Sequence, residues 1–490
     1  MPNPKRWLAV AAIAATLPAV ITPAAQAAPA GTMTGPSSSA SPYLLPVAPG
    51  VTNTSVLTVG DKAANGYSMV GIPDGLGAYD NGDGTITLLM NHELGADKGV
   101  PRAHGAKGSF VSQWVIDKNT LEVKSGSDLI TTFVRADTSL GSAISRLCSA
   151  DLPKKSAFFN TATGKGYDGR IFMNGEEDGS TGRAFAHVAT GAEAGTTYEV
   201  AAMGNSSWEN VLANPATGDK TVVIGTDDST PGQVYVYVGE KKDSGTAVQR
   251  AGLTGGTLFG VKAEGGLNEY DKSTGTGTAS FPMKGGFTLA SLGDASTYDY
   301  KTTQAESVAK GVTEWWRPED GAWDAKNPNV FYFNTTASLK GPSRTWKLTF
   351  ADVTQPQLGG TFEAVLDGTE GQKMFDNMAA ADNGKQLILN EDPGNTPYLG
   401  RVYSYNLGTD RLTPILEHDP SRFSAGGSQF LTSDEESSGT IDASEFFGQG
   451  SYLMTTQAHY EISGELVEGG QLQLVRVPWT DNGNGTKGTR

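Results

Sequence analysis

Cysteine and histidine are scarce in this chain. There is one cysteine, Cys148, and there are five histidines among 490 residues. One cysteine excludes an internal disulfide, and five scattered histidines do not give the spacing of a histidine-based zinc site. Taken alone, Cys148 is better explained as a buried spare thiol than as a metal ligand.

Motifs of common hydrolases and nucleotide-binding proteins are also missing. The chain has no Gly-x-Ser-x-Gly nucleophile elbow and no Gly-x-x-x-x-Gly-Lys phosphate loop. Basic residues are outnumbered, with 37 Lys and Arg against 53 Asp and Glu and a formal net charge of −16. This balance argues against a nucleic-acid-binding face and suits an acidic protein that carries cations.

Long apolar stretches are absent beyond the N-terminus. The sequence predicts a signal peptide over residues 1–27, and its Lys-Arg pair leaves both the Sec and the Tat export routes open. No stretch has the length of a membrane span, so we expect a secreted or periplasmic protein. The signals are a basic pair at Lys5-Arg6, an apolar segment over 8–21 and a cleavage site near Ala27/Ala28.

Short strands and tight turns are what the composition favours instead. The chain contains 63 glycines, and only 18% of its residues are charged. Residues 28–50 are rich in Ala, Pro, Ser and Gly and predict a flexible leader, and residues 481–490 predict a flexible tail. We therefore expect one folded domain over residues 51–480.

One pattern recurs six times in this domain: an apolar strand, a polar end, a loop and a second strand. It predicts an all-β, six-bladed β-propeller with loop and short-helix insertions; the alternative is a pair of β-sandwiches. Helices are expected at 305–314 and 140–147, the latter with Cys148 at its end. The first strands of the six repeats are predicted at 85–90, 170–173, 220–225, 329–333, 385–389 and 451–454.

Carboxylates collect where these strands end. Equivalent strand ends of a propeller can meet at one rim of its channel, where such side chains would suit a hard cation such as Ca²⁺. Each acidic pair alone is a weak signal, because most acidic loop residues are solvated. His92 and His459 are candidates for the same rim. The acidic candidates are Glu93, Glu176, Glu177, Asp178, Asp227, Asp228, Glu391 and Asp392 at strand ends, and Glu209, Glu319, Asp434, Glu435 and Glu436 elsewhere.

With these residues identified, the chain resembles the secreted PhoX-type alkaline phosphatases and their PhoX-like relatives. The resemblance extends over most of the mature chain and implies a propeller, phosphomonoesterase activity and an iron–calcium cluster in the channel. The motifs that carry it are Asn91-His92-Glu93, Arg146-Leu147-Cys148-Ser149, Glu176-Glu177, Trp208-Glu209, Asp227-Asp228, Arg317-Pro318-Glu319, Asp376-Asn377, Asn390-Glu391-Asp392 and Gln457-Ala458-His459.

The resemblance also implies roles for single residues. Cys148 becomes an expected iron ligand, together with Glu319 and one of Glu435 or Glu436. Arg317 and His459 are the expected substrate-binding residues. The expected calcium ligands are Glu177, Glu209, Asp227, Asp228 and Glu391.

The leading hypothesis is a monomeric, metal-dependent phosphoester hydrolase with Ca²⁺ and Fe³⁺ as cofactors and a small phosphorylated substrate. Bound cations would offset the acidic charge and stabilise the charge that develops on the phosphate. No catalytic side chain is identified, and in this hypothesis an oxygen on the metal attacks phosphorus. The alternatives are a non-catalytic calcium-binding propeller that binds a ligand or polymer, and a calcium-dependent lactonase-like hydrolase.

Overall fold

The computed structural model describes residues 29–478 and the backbone of residues 486–487. The predicted signal peptide and most of the predicted tail lie outside the described residues. Helices are short, and none in the described part is long and apolar enough to cross a membrane. The helices are Ala247–Arg250, Tyr300–Lys310, Pro420–Phe423 and Ser444–Phe447, with 3₁₀ turns at Lys155–Ala157, Ala201–Met203 and Pro356–Leu358.

The strands form six four-stranded antiparallel units, which we call blades I to VI in chain order. The first strand of each blade, its inner strand, contacts the inner strands of the two neighbouring blades, and the inner strand of blade VI contacts that of blade I. The inner strands thus close into a ring. They are Pro73–Asp80, Leu147–Asp151, Trp208–Ala213, Pro318–Trp323, Phe375–Ala380 and Glu435–Asp442.

The second and third strands of the blades are the strands that the repeat pattern predicted. Their buried apolar side chains alternate or run continuously, which is typical of strands in the middle of a sheet. The second strands are Thr85–His92, Ile171–Glu176, Lys220–Asp227, Val330–Thr335, Gln386–Glu391 and Ser451–Ile462, and the third strands are Phe110–Asp117, Ala184–Val188, Val234–Glu240, Arg344–Phe350, Arg401–Asn406 and Val467–Arg476.

The outer strands and the insertions complete the sheets. Lys284–Gly293 pairs with the outer strands of blades III and IV and joins them into one nine-stranded sheet. The outer strands are Val123–Asp128, Thr196–Glu199, Thr257–Ala263, Gly360–Leu366, Arg411–His418 and, in blade VI, Thr52–Thr58. Short strands lie at Thr32–Thr34, Leu44–Pro46, Thr132–Val134, Phe159–Asn160, Lys165–Gly166, Tyr270–Asp271, Thr276–Gly277 and Thr486–Lys487.

The hydrophobic core is divided into layers between neighbouring blades. Each of the six blade-to-blade seams, including the seam between blades VI and I, holds its own cluster of buried apolar side chains. At the seam between blades II and III, for example, Trp208 packs edge-on against Tyr235 inside such a cluster. The prediction of an all-β propeller is confirmed by this ring of sheets.

The segment predicted as a flexible leader is paired with two blades. Thr32–Thr34 pairs in parallel with Thr52–Thr58 of blade VI, and Leu44–Pro46 pairs with Arg411–His418 of blade V. Leu44 is fully buried between these blades. The flexible leader is predicted from the average composition of residues 28–50, and an average gives no weight to a short apolar strand such as Leu44–Pro46.

Of the two helices predicted from the sequence, one is present and the other is absent. Tyr300–Lys310 overlaps the expected helix; it begins where the Asp299 side chain accepts a hydrogen bond from the backbone N–H of Thr302 and ends at Gly311 with φ of 68°. Residues 140–147 form no helix, and Cys148 instead lies in the inner strand of blade II. That inner strand brings Cys148 to the axis of the ring.

Candidate metal centre

One polar position repeats in all six inner strands. The second residue of every inner strand has an oxygen or sulfur atom that can bind a cation. Because side chains alternate along a strand, equivalent residues of equivalent strands point in the same direction, here toward the ring axis. We call these six residues the inner ring: Asp74, Cys148, Glu209, Glu319, Asp376 and Glu436.

The backbone around the inner ring is shaped by β-bulges. In every blade the pairing of the inner strand with the second strand shifts at or beside the inner-ring position, for example between Pro73 and Leu76. A bulge bends the strand and re-aims a side chain. The inner strands of blades VI and I also approach each other closely at this level. A Cβ on Gly439 would lie 2.3 Å from the carbonyl oxygen of Asp74, so this position requires glycine.

A second tier of polar residues lies where the second strands end. Glu93, Glu177, Asp228 and Asp392 each directly follow a second strand, and His459 lies in the second strand of blade VI. With five members of the inner ring they line a cavity of about 410 Å³ to which all six blades contribute. The remaining lining residues are Arg146, Arg317, Gly394, Asp434 and Glu468.

Negative charge dominates this cavity. Ten of its lining residues are Asp or Glu, and only two arginines and one histidine oppose them. Three groups of side chains each bring three ligand atoms within 4.8 Å of one another. Carboxylate oxygens suit Ca²⁺, and a thiolate beside carboxylates suits a transition metal. The groups are Asp74, Glu93 and Cys148; Cys148, Glu177 and Glu209; and Glu209, Glu319 and Asp376.

Burial and mutual repulsion raise the pKa values of these acids. Burial, and then the charges of neighbouring carboxylates, raise the pKa of Glu319 and Asp376 well above the ordinary range. Burial is also the main cause that raises the pKa of Glu209 to about 8. The pKa of the Cys148 thiol is raised by burial and then by Asp74. A cation among these groups would favour their charged forms and reverse the shifts.

Several buried oxygen atoms at the site lack a hydrogen-bond donor among the described residues. Asp376 Oδ1 and Gln457 Oε1 have none. Glu319 Oε1 lies 3.1 Å from Arg317 Nη2 as an ion pair but accepts no hydrogen bond of good geometry. Unpaired buried acceptors are costly in a folded protein, and cation binding would satisfy them. The donor set therefore fits bound metal ions.

Two arginines and one histidine supply the positive charge at the cavity. Arg317 donates from Nε and Nη2 to the two carboxylate oxygens of Asp228, at 2.9 and 2.8 Å. His459 Nδ1 lies 2.7 Å from Glu468. Burial lowers the pKa of His459, but the hydrogen bond to Glu468 and the charges of Glu436 and Glu468 outweigh it and raise this pKa to about 11, so the imidazole is protonated at neutral pH.

The structure brings most of the predicted site residues together. Arg317 and His459, the two predicted substrate-binding residues, line the same cavity. The predicted metal ligands that line it are Cys148, Glu177, Glu209, Asp228, Glu319 and Glu436.

Three predicted ligands lie away from the cavity. Asp227, Glu391 and Glu435 are each adjacent in sequence to a lining residue, and the alternation of side chains turns them the other way. Each binds a local loop: Asp227 accepts from Ser207 N, Ser229 Oγ and Gln304 Nε2, Glu391 from Lys373 N, Tyr398 OH and Arg401 N, and Glu435 from Gly400 N. His92 is also inside the fold, stacked on Phe110, and burial lowers its pKa to about 3.

Sequence reasoning left some residues of the centre unassigned. Asp74 is not among the residues that the sequence predicts for the site. Glu93 and Asp392 are among the acidic candidates for a cation at the rim but have no assigned metal, and Asp376 is named only in a motif. A usable signal exists, since a bulky or ring-shaped residue, an acid and a small or polar residue follow each other in four blades. Those segments are Pro73-Asp74-Gly75, Trp208-Glu209-Asn210, Pro318-Glu319-Asp320 and Phe375-Asp376-Asn377.

Comparison with known proteins gives a structural likeness but no sequence match. No family model and no curated protein sequence matches the chain. The structure of Pseudomonas fluorescens PhoX in complex with vanadate, a transition state analogue, is similar with a TM-score of 0.60 and 10% identity, over 89% of this chain and 96% of that one. At this identity the likeness shows a shared fold.

Two further structural matches have TM-scores too low to support any inference. The β-propeller domain of Cps50 (Swd1) from Myceliophteria thermophila matches with a TM-score of 0.35 and 8% identity, over 84% of this chain and 98% of that one. TolB from Acinetobacter baumannii matches with a TM-score of 0.31 and 8% identity, over 88% of this chain and 82% of that one.

Proposed function

We propose that the protein is a secreted, monomeric, metal-dependent phosphoester hydrolase that acts on small phosphomonoesters in the manner of an alkaline phosphatase. The observation that carries this proposal is the cavity whose lining residues supply two complete sets of metal-ligand atoms, and part of a third, beside two arginines. The fold shared with a protein that binds vanadate supports it, because vanadate is an oxyanion shaped like phosphate.

Calcium and iron are the proposed cofactors. Iron would be held by one of the two groups that contain the Cys148 thiol, either with Asp74 and Glu93 or with Glu177 and Glu209, and calcium by the all-carboxylate group of Glu209, Glu319 and Asp376. This assignment differs from the expectation given by the family resemblance, in which Glu319 binds iron and Glu177 and Glu209 bind calcium. When bound, the ions would supply Lewis acidity and the positive charge that an anionic substrate needs at this acidic rim.

The side chains of the chain would bind and orient the phosphate. The Arg317 guanidinium is fixed by two hydrogen bonds to Asp228, so little side-chain freedom is lost when it binds a phosphate oxygen. The protonated His459 would hold its second proton at Nε2, 4.0 Å from Glu436, and donate a hydrogen bond to a substrate oxygen.

Metal analysis combined with an assay on p-nitrophenyl phosphate tests the proposal. We expect the purified protein to contain calcium and iron and to hydrolyse the ester. Cys148→Ala should lose iron and at least about 100-fold in kcat/KM, while Glu435→Gln, a carboxylate directed away from the cavity, should keep both. Calcium without iron, together with no phosphatase activity, would favour a non-catalytic calcium-binding propeller instead.

A further inference from the structure

Arg146 and Arg317 occupy the same position in two different blades. Each lies two residues before an inner-ring residue, Cys148 in blade II and Glu319 in blade IV. Each also adopts a left-handed backbone conformation, with φ of 43° for Arg146 and 59° for Arg317. Non-glycine residues rarely adopt this conformation, and where they do it is often at a ligand-binding site.

The same backbone turn occurs in two other blades without an arginine. Ile72 precedes Asp74 with φ of 51°, and Met374 precedes Asp376 with φ of 43°. The turn is thus a recurring feature of the fold, whereas the guanidinium is specific to blades II and IV. Folding alone therefore does not explain why an arginine stands at these two positions.

The two guanidinium groups are held in equivalent ways. Nε of Arg146 donates to Glu93 at 2.9 Å, and Nε of Arg317 donates to Asp228 at 2.9 Å. In both cases the acceptor directly follows the second strand of the preceding blade. Nη2 of Arg146 binds Glu177, and Nη2 of Arg317 binds Asp228.

Each arginine keeps one terminal nitrogen without a hydrogen bond. Nη1 of Arg146 and Nη1 of Arg317 donate no hydrogen bond to any described residue, since their bonds are made by Nε and Nη2. The side chains are 48% exposed for Arg146 and 28% exposed for Arg317, and both line the cavity. Each can therefore meet an incoming anion without breaking its present contacts.

The two arginines lie on either side of blade III, Arg146 in blade II and Arg317 in blade IV. The inner-ring residues of blades II, III and IV therefore lie between them along the rim. A cavity of about 410 Å³ has the size of a site for a small organic molecule rather than for phosphate alone. At a rim lined mainly by carboxylates, a second negative group on the ligand would be repelled unless a cation met it.

We propose that Arg146 is a second anion-binding residue, and that the site takes phosphomonoesters that carry a second anionic group such as a carboxylate. The inference rests on the proposed function, because it places the phosphate beside Arg317. Arg146 then forms a charge-assisted hydrogen bond with the second anion.

A matched pair of ligands tests this directly. Glycerol 3-phosphate and 3-phosphoglycerate differ in having an alcohol or a carboxylate at the far end. To prevent turnover, titration calorimetry with the metal-loaded protein uses the phosphonate analogue of each ester, in which a CH₂ group replaces the bridging oxygen. We expect at least tenfold tighter binding of the 3-phosphoglycerate analogue. Arg146→Gln should remove this preference and change the Kd of the glycerol 3-phosphate analogue less than threefold, Arg146→Lys should keep part of it, and Arg317→Gln should weaken binding of both analogues.

Three outcomes would overturn the inference. Equal affinities of the wild-type protein for both analogues would show that no second anion is recognised. Equal weakening of both analogues by Arg146→Gln would show that the two arginines bind one phosphate. Loss of metal from Arg146→Gln, measured before and after titration, would show that Arg146 only holds Glu93 and Glu177.

The outcome also separates this inference from the proposed function. A wild-type protein that prefers 3-phosphoglycerate but hydrolyses neither ester would contradict the proposed activity and leave the second anion site standing. A protein that hydrolyses p-nitrophenyl phosphate but shows no preference between the two esters would contradict the second anion site alone.

Discussion

At the scale of single residues, the centre is organised by the alternation of side chains along a strand. Neighbouring acids have different roles: Glu177 lines the cavity, whereas Glu176 is paired with Arg183 and accepts a hydrogen bond from the backbone N–H of Ser145. The same contrast separates Glu436 from Glu435. An acidic pair in the sequence therefore combines one candidate ligand with one structural carboxylate.

The pair Glu177 and Glu176 gives a matched test. Glu177→Gln should lower the amount of bound metal, because it removes a carboxylate from a group with three ligand atoms. It should change the stability of the metal-free protein little, because the half-exposed Arg146 loses one ion pair but keeps the other, with Glu93. Glu176→Gln should keep the metal but destabilise the fold by about 3 kcal/mol, because it leaves the largely buried Arg183 without its ion pair.

Metal content by elemental analysis and urea unfolding of the chelator-treated proteins give the two measurements. Equal loss of metal in both variants would contradict the assignment of opposite roles. A stable Glu176→Gln protein with wild-type metal content would show that the ion pair with Arg183 contributes little.

At the scale of elements, each blade helps to hold the inner strand of the next one. Asn334 of blade IV donates to the carbonyl of Asp376 in blade V at 2.8 Å. Asn390 of blade V donates to the carbonyl of Ser438 in blade VI at 2.8 Å and to Thr440 Oγ1 at 2.7 Å. Both asparagines are the next-to-last residue of a second strand. The same side-chain hydrogen bond therefore fixes the inner strand of the following blade in both cases.

Removing one of these amides should loosen a seam. Asn390→Ala should lower the free energy of unfolding by about 1–3 kcal/mol, because Asn390 is fully buried and its partners would lose their donor. Asn395→Ala, at an exposed loop position, should change it by less than about 0.5 kcal/mol. Urea unfolding at one pH checks both values, and equal effects would rule out a special role for Asn390.

The difference between the apolar second and third strands and the polar inner strands explains which parts of the fold could be predicted from the sequence. The second and third strands carry alternating or continuous apolar residues, so their positions and the repeat were predictable. The inner strands were not, because segments such as Pro73-Asp74-Gly75 are polar and glycine-containing and interrupted by bulges. The cavity was predictable as a meeting of strand ends, but the choice between Asp227 and Asp228 needed the exact strand register.

At the scale of the whole molecule, the ring is closed by blade VI, which combines strands from the N-terminal and C-terminal parts of the chain. The outer strand of blade VI, Thr52–Thr58, comes from the N-terminal part, and its other three strands come from the C-terminal part. This pairing joins residues more than 400 positions apart, for example Asn53 and Gln473 through a hydrogen bond of 2.7 Å. A closed ring leaves the acidic inner-ring residues no way to separate, so their repulsion must be relieved by protons or cations.

The repulsion among the inner-ring acids predicts that stability depends on pH and that bound cations change this dependence. Burial raises the pKa of Glu209 to about 8 and the pKa of Asp392 to about 7 in the folded protein without metal. A raised carboxyl pKa means that the folded state holds the proton more tightly than the unfolded state. The resulting stability is complete below the ordinary pKa and is lost as pH rises through the folded value.

Between pH 6.5 and pH 8 the chelator-treated protein should therefore lose about 1–2 kcal/mol of stability from Glu209 alone. Histidines also contribute in this window, because their pKa in the unfolded state is about 6.5. The buried His92 and His187, whose folded pKa values burial lowers to about 3, each add about 0.4 kcal/mol of stability between pH 6.5 and pH 8, whereas His459, whose folded pKa is about 11, loses stability as pH rises. The contribution of Glu209 is therefore the difference between the wild-type protein and Glu209→Gln. Saturating Ca²⁺ should reduce the loss because it binds the ionised carboxylates, and Glu209→Gln should reduce it in the metal-free protein. Urea unfolding at four pH values, with and without Ca²⁺, measures the slope. A metal-free wild-type protein that loses no more stability with rising pH than Glu209→Gln would show that a proton on Glu209 does not relieve the charge of this ring.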